Sequence, residues 1–132
     1  MTEEANLRAA AETGDVKAMV DLADLLTPRY EDDPERREEA ESWFRRAAET
    51  GDVEAMTALA QFLYHDDEKD EAAEWYHKAA DLGHAEAMAG LGDFYDFTGD
   101  ESASELWYRR AADLGDESAK SNLRALLSTR DR

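Results

Sequence analysis

The sequence predicts an all-α fold, an α/α solenoid of about 3.5 helix-turn-helix repeats, and three observations carry that expectation. First, two alanines, an acid and Thr or Leu precede Gly14, Gly51, Gly83 and Gly115, glycines spaced by 37, 32 and 32 residues. Second, a tryptophan followed by another aromatic stands eight residues before the last three glycines: Trp43-Phe44, Trp75-Tyr76 and Trp107-Tyr108. Third, the apolar residues after each glycine keep helical spacing, as Met19, Leu22, Leu25 and Leu26, then Met56, Leu59, Phe62 and Leu63. Strand-like alternation is absent.

Helix punctuation places eight antiparallel helices, expected to wind into a right-handed superhelix, at residues 2–13, 15–27, 35–50, 52–65, 69–82, 84–97, 101–114 and 116–129. The first has Asn6 where the later repeats have tryptophan, which suits the open end of an array. The second follows Gly14, whose left-handed conformation ends one helix, with Asp15 as N-cap of the next. Asp33-Pro34-Glu35 opens the third as N-cap, first-turn proline and dipole-matched acid. Asp52 opens the fourth, and His65 ends it, where an imidazole suits the C-terminal dipole. The paired-helix turns are Pro28 to Pro34, Asp66 to Glu68, and Thr98-Gly99-Asp100. They introduce the third, fifth and seventh helices, and Gly83 separates the fifth from the sixth. The eighth starts behind Asp116, carries Lys120 in the methionine register, and carries Arg124 in the small slot of Ala23, Ala60 and Gly92. A terminal helix with no onward neighbour gains such polar residues, so residues 1–132 are expected to form one domain capped at both ends.

Composition bounds the function. An apolar fraction of 42% in 132 residues supports a core and excludes collagen-like and disordered readings. With 33 acidic and 15 basic residues the net charge is -18, which argues against nucleic acid or an anionic membrane as partner. The excess is uneven: net -9 over residues 1–63, -11 over 64–105 and +2 over 106–132. The absence of cysteine removes disulfides and thiolate chemistry and fits a reducing compartment. The Met-Thr-Glu-Glu-Ala-Asn start lacks a secretory pattern, and no apolar run nears the roughly 18 residues of a membrane span. A cytoplasmic protein, monomeric by default, is expected.

The run Ala87-Met88-x-x-Leu91-Gly92-x-x-Tyr95, together with Trp75-Tyr76-x-Lys78-Ala79-Ala80-x-x-Gly83, resembles the Sel1-like repeat, a relative of the tetratricopeptide repeat. The resemblance covers roughly residues 9–128 and recurs three times. Two departures stand out: the paired-helix turns are not glycine-rich, and the 32-residue period is short for the family, so its superhelical curvature is not carried over. The resemblance implies protein–protein scaffolding without enzymatic activity.

No catalytic, cofactor-binding or metal-ligating residues are expected. His77, Asp81 and His84 share a helical spacing, but Gly83 breaks the helix before His84. The runs Glu31-Asp32-Asp33 with Glu38-Glu39, and Asp66-Asp67-Glu68 with Asp70-Glu71, lack calcium-loop spacing and read as solvated turns and N-cap acids. The Trp-aromatic pairs and Met19, Met56 and Met88 read as core. The surface offers more. In two-helix solenoids the first helix of each pair lines the concave face, where non-repeating residues distinguish partners. That stripe is Lys17, Val20, Asp21 and Asp24, then Glu54, Thr57, Ala58 and Gln61, then Glu86, Ala89, Gly90 and Asp93, extended by Tyr64 and Asp96. Small Ala58, Ala89 and Gly90 are expected to leave room for a peptide or helix. The partner-binding candidates are therefore Asp21, Asp24, Glu54, Thr57, Gln61, Tyr64, Glu86, Asp93 and Asp96. The function expected is a non-enzymatic adaptor binding a partner protein with a peptide, helix or basic surface to offer. The same acidity suits two alternatives: an immunity-type or nucleic-acid-mimic inhibitor of a basic enzyme, and a salt-adapted or engineered scaffold without a charge-specific partner.

Overall fold

A computed structural model describes residues 2–27 and 33–130, and among these the chain is entirely helix and turn. The helices are α1 Glu3–Glu12, α2 Val16–Leu26, α3 Pro34–Glu49, α4 Val53–His65, α5 Lys69–Asp81, α6 Ala85–Thr98, α7 Glu101–Asp113 and α8 Glu117–Arg130. Every boundary falls within one residue of the sequence expectation. Local chemistry explains that agreement. Asp15, Asp52 and Asp116 accept from the backbone N–H three residues on, at 3.1, 2.9 and 2.8 Å, and Asp33 accepts from Arg36. Gly14, Gly51, Gly83 and Gly115 all take positive φ, between 86° and 100°, a conformation that strains a residue with a Cβ. The acidic run 31–32 and most of the turn from Pro28 to Pro34 lie outside the described residues.

Consecutive helices pack as antiparallel pairs, and the two rows they form differ. The even helices also pack on one another, α2 on α4, α4 on α6 and α6 on α8, while no odd helix approaches another odd one as closely. The even row is therefore the inside of a curved stack, the odd row its outside. Between them lies the core. Leu22, Leu59 and Leu91, eight residues past their glycines, are fully buried, as are Ala11, Ala47 and Ala79 on the odd helices. At the ends the burial thins: Ala11 is the buried residue of α1 and Ala119 that of α8, where Lys120 and Arg124 are exposed.

Long side chains bridge the splayed odd row. Arg8 of α1 pairs with Glu39 of α3, and six residues before the next glycine Arg45 of α3 forks onto Glu71 of α5 at 2.6 and 3.0 Å. The third position in this register is His77, which stands edge-on to Trp107 with ring centroids 5.5 Å apart. The tryptophans are less enclosed than the sequence suggests. Trp43 is buried, whereas Trp75 and Trp107 are half-buried, each with a cation three residues on lying over its outer face. Met19 is buried, and Met56 and Met88 pack on the core only in part.

Candidate functional site: the concave cleft

The inner faces of α2, α4 and α6 enclose a cleft of about 880 Å³. Asp24, Ala58, Gln61 and Asp93 line it from the even helices, as the expected stripe requires, and Tyr64 joins them. Its floor comes from the odd helices: Phe44 of α3 and Tyr76 of α5 reach between the even helices into it. These are the second rings of the Trp-aromatic pairs. The repeat assigns them to packing, and only their polar or open edges serve the cleft. The signal that points to them is register: Phe44, Tyr76 and Tyr108 stand seven residues before a glycine, and Tyr76 and Tyr108 face Gly90 and Gly92 of α6.

The remaining candidates divide. Asp21 is half-buried and accepts from Lys17 at 2.8 Å, and Glu86 accepts from Gln61 at 2.7 Å, so both hold the rim. Glu54 and Asp96 are exposed and do not line the cleft. Thr57 is corrected. It is only 2% exposed and its hydroxyl donates to the Val53 carbonyl at 3.1 Å. At about 100° per residue, positions three, seven, ten and fourteen past each glycine share a face, and position six falls about 70° away, toward the neighbouring helix. Ala89, in the same position, is buried for the same reason. Gly90 is corrected as well. A Cβ there would stand 2.4 Å from Tyr76 Cε1, so the missing side chain makes room for this chain's own ring.

The electrostatics are set at the α6 side. Asp93 Oδ1 accepts from the Tyr108 hydroxyl at 2.5 Å and from Asn122 Nδ2 at 3.3 Å. Its carboxylate keeps an open edge in a groove crowded by protein; that crowding, and then the charges of Asp96 and Asp116, raise its pKa against the Tyr108 hydrogen bond. Burial, and then Asp93 and Asp96, raise the pKa of Tyr64. At the opposite side Arg37 pairs with Asp66 at 2.7 Å. Lys69 lies over the Tyr64 ring at 4.5 Å and donates to the Tyr64 carbonyl at 3.1 Å. The acidic run 66–71 is thus drawn into separate ion pairs, Asp66 to Arg37, Asp67 to Lys69 and Glu71 to Arg45. Among the described residues no three His, Cys, Asp or Glu side chains gather as metal ligands. His77 Nε2 meets the Tyr95 hydroxyl at 3.1 Å, and His84 stands at the start of α6, beyond the break at Gly83. No described helix is long and apolar enough to cross a membrane.

Comparison with known proteins agrees with this architecture. The Sel1 repeat model matches residues 16–52, 53–84 and 85–116, each match joining an even helix to the odd helix that follows. A protective antigen of uropathogenic Escherichia coli strains with an SLR fold is 32% identical and superposes with a TM-score of 0.72 over 89% of this chain. This chain spans about a quarter of that protein, 27% of its length. A Sel1 repeat protein from Oxalobacter formigenes is 30% identical, with a TM-score of 0.65 over 95% of this chain and 99% of its own. No curated protein matches the sequence. Sel1 repeats generally serve as protein–protein interaction modules, typically without enzymatic activity, and this chain belongs to the Sel1 repeat family.

Proposed function

We propose that the chain is a monomeric, non-catalytic adaptor of the cytoplasm that holds a segment of a partner protein in the concave cleft, with acidity steering basic partners toward it. The observation that carries this reading is the cleft itself: about 880 Å³, lined at one structural address, ten residues past the repeat glycine, by polar Asp24, Gln61 and Asp93. The net charge of -18 supplies the long-range field, and an exposed carboxylate acts chiefly through association rate. The cleft is large for a single side chain and open along the helix row, which suits an extended segment or one helix face. Residues 1–132 act here as one interaction domain.

Short random peptides selected on the full chain test the reading. Bound peptides should lose about tenfold in affinity when Asp24 and Asp93, which line the cleft, are both changed to Lys, and much less when exposed Glu38 and Glu74 on the outer helices are. Both pairs change the net charge equally. Equal losses would place binding outside the cleft, and binding that ignores salt would remove the steering.

A further inference from the structure

One carboxylate and one phenol in the cleft are left incompletely satisfied, and they lie at the same end. Asp93 accepts from Tyr108 and Asn122, both neutral donors and both on Oδ1. Among the described residues no lysine or arginine pairs with it, and Oδ2 receives no donor. Tyr76 is 5% exposed, and its hydroxyl reaches the cleft without a hydrogen bond to any described residue. That hydroxyl is open to the cleft, whereas the equivalent Tyr108 hydroxyl of the next repeat finds a partner within the chain. The repeat shows why this one does not. Tyr108 meets Asp93, ten residues past Gly83; the residue ten past Gly51, open to Tyr76 by the same rule, is Gln61, and its amide donates to Glu86 instead. The phenol is therefore spare, and it stands in the field of Asp93.

We propose that this end of the cleft seats the guanidinium of an arginine carried by the partner segment, an inference that rests on the cleft reading above. A guanidinium presents several N–H donors in one plane, which serve Asp93 Oδ2 and the Tyr76 hydroxyl together, while its face lies on the aromatic lining. An ammonium matches the charge but has no planar fork or stacking face. An anionic side chain meets the Asp93 carboxylate, with which no described lysine or arginine pairs. At the far end Arg37 is engaged with Asp66.

The selected peptides test this on the full-length chain. One position should be enriched in arginine. In a synthetic binder, replacing that arginine by lysine should weaken binding by about threefold and by norleucine about tenfold or more. Asp93→Asn keeps a carbonyl for Tyr108 and removes the charge; Tyr76→Phe keeps the ring against Gly90 and removes the hydroxyl. Each should weaken the arginine peptide, about tenfold and about threefold, and leave the norleucine peptide unchanged, with unaltered circular dichroism. A norleucine peptide that binds as tightly, or indifference to Asp93→Asn, overturns the arginine seat. If such peptides still shift the amide resonances of α2, α4 and α6, the cleft reading survives that loss. Peptides that shift only the odd helices, or the absence of any binder, overturn both.

Discussion

A Cβ at position 90 would meet Tyr76 Cε1 at 2.4 Å and Cζ at 2.5 Å, far inside van der Waals contact. Two effects of Gly90→Ala oppose each other. Alanine favours a helix interior over glycine by about 1 kcal/mol, and overfilling a packed site costs about 1–3 kcal/mol. The ring cannot swing aside cheaply, because Tyr76 is 5% exposed and wedged between helices. Packing wins, so Gly90→Ala should lower stability in urea by about 1–2 kcal/mol. Combining it with Tyr76→Leu should cost less than the sum of the two single changes. Additive losses would mean that the ring and the glycine are not matched. Gly83, seven residues earlier, needs glycine for a different reason: nothing lies within 4 Å of its Cβ position, but its φ is +86°.

The odd helices depend on side chains rather than backbone proximity, and α3 to α5 is the clearest case. Arg45 and Glu71 are each about one-third exposed, so solvent and salt screen the pair and its contribution is at most about 1 kcal/mol. The Arg45 hydrogen bond, against some burial, lowers the Glu71 pKa, as Arg8 lowers that of Glu39. A folded pKa below the unfolded value near 4.3 means that the unfolded chain binds more protons in acid. The stabilisation is thus present above that value and is lost as pH falls through the lower folded one. Glu71→Gln should be less stable than the parent at pH 7, and the two urea midpoints should converge below about pH 4. A gap that persists in acid would trace the loss to packing. At this scale the sequence is nearly transparent, since glycine, apolar spacing and, for α2, α3, α4, α7 and α8, Asp caps act over one turn. The cleft is legible only in part. Asp24, Gln61 and Asp93 follow from the face of the even helices, whereas Thr57 misses that face by one position and Tyr64, thirteen past its glycine, lines the cleft from beyond it. Tyr76 and Arg37 enter from odd helices, so finding them requires knowing how far one helix row reaches between the members of the other.

The whole molecule carries -18, and its ion pairs neutralise only local parts of that charge. Salt therefore acts in two directions. It weakens pairs such as Arg45–Glu71 and Arg37–Asp66, and it screens the mutual repulsion of the remaining carboxylates, most concentrated over residues 64–105 with net -11. The pairs are partly exposed, each worth about 1 kcal/mol or less, while the repulsion sums over the whole surface. Repulsion dominates, and the melting temperature should rise as salt is added. The shape of the rise separates two origins of the acidity. The Debye length shrinks from about 30 Å at 0.01 M to about 10 Å at 0.1 M and about 3 Å at 1 M, so screening of general repulsion is nearly complete by a few tenths molar. An adaptor whose carboxylates serve steering and helix capping should show a melting temperature that climbs and then levels within that range. A chain adapted to high salt should continue to gain stability toward molar concentrations. Thermal melts from 0.01 to 2 M sodium chloride decide between them, and a continuing climb past 1 M would move the acidity from partner recognition to the solvent in which the protein works.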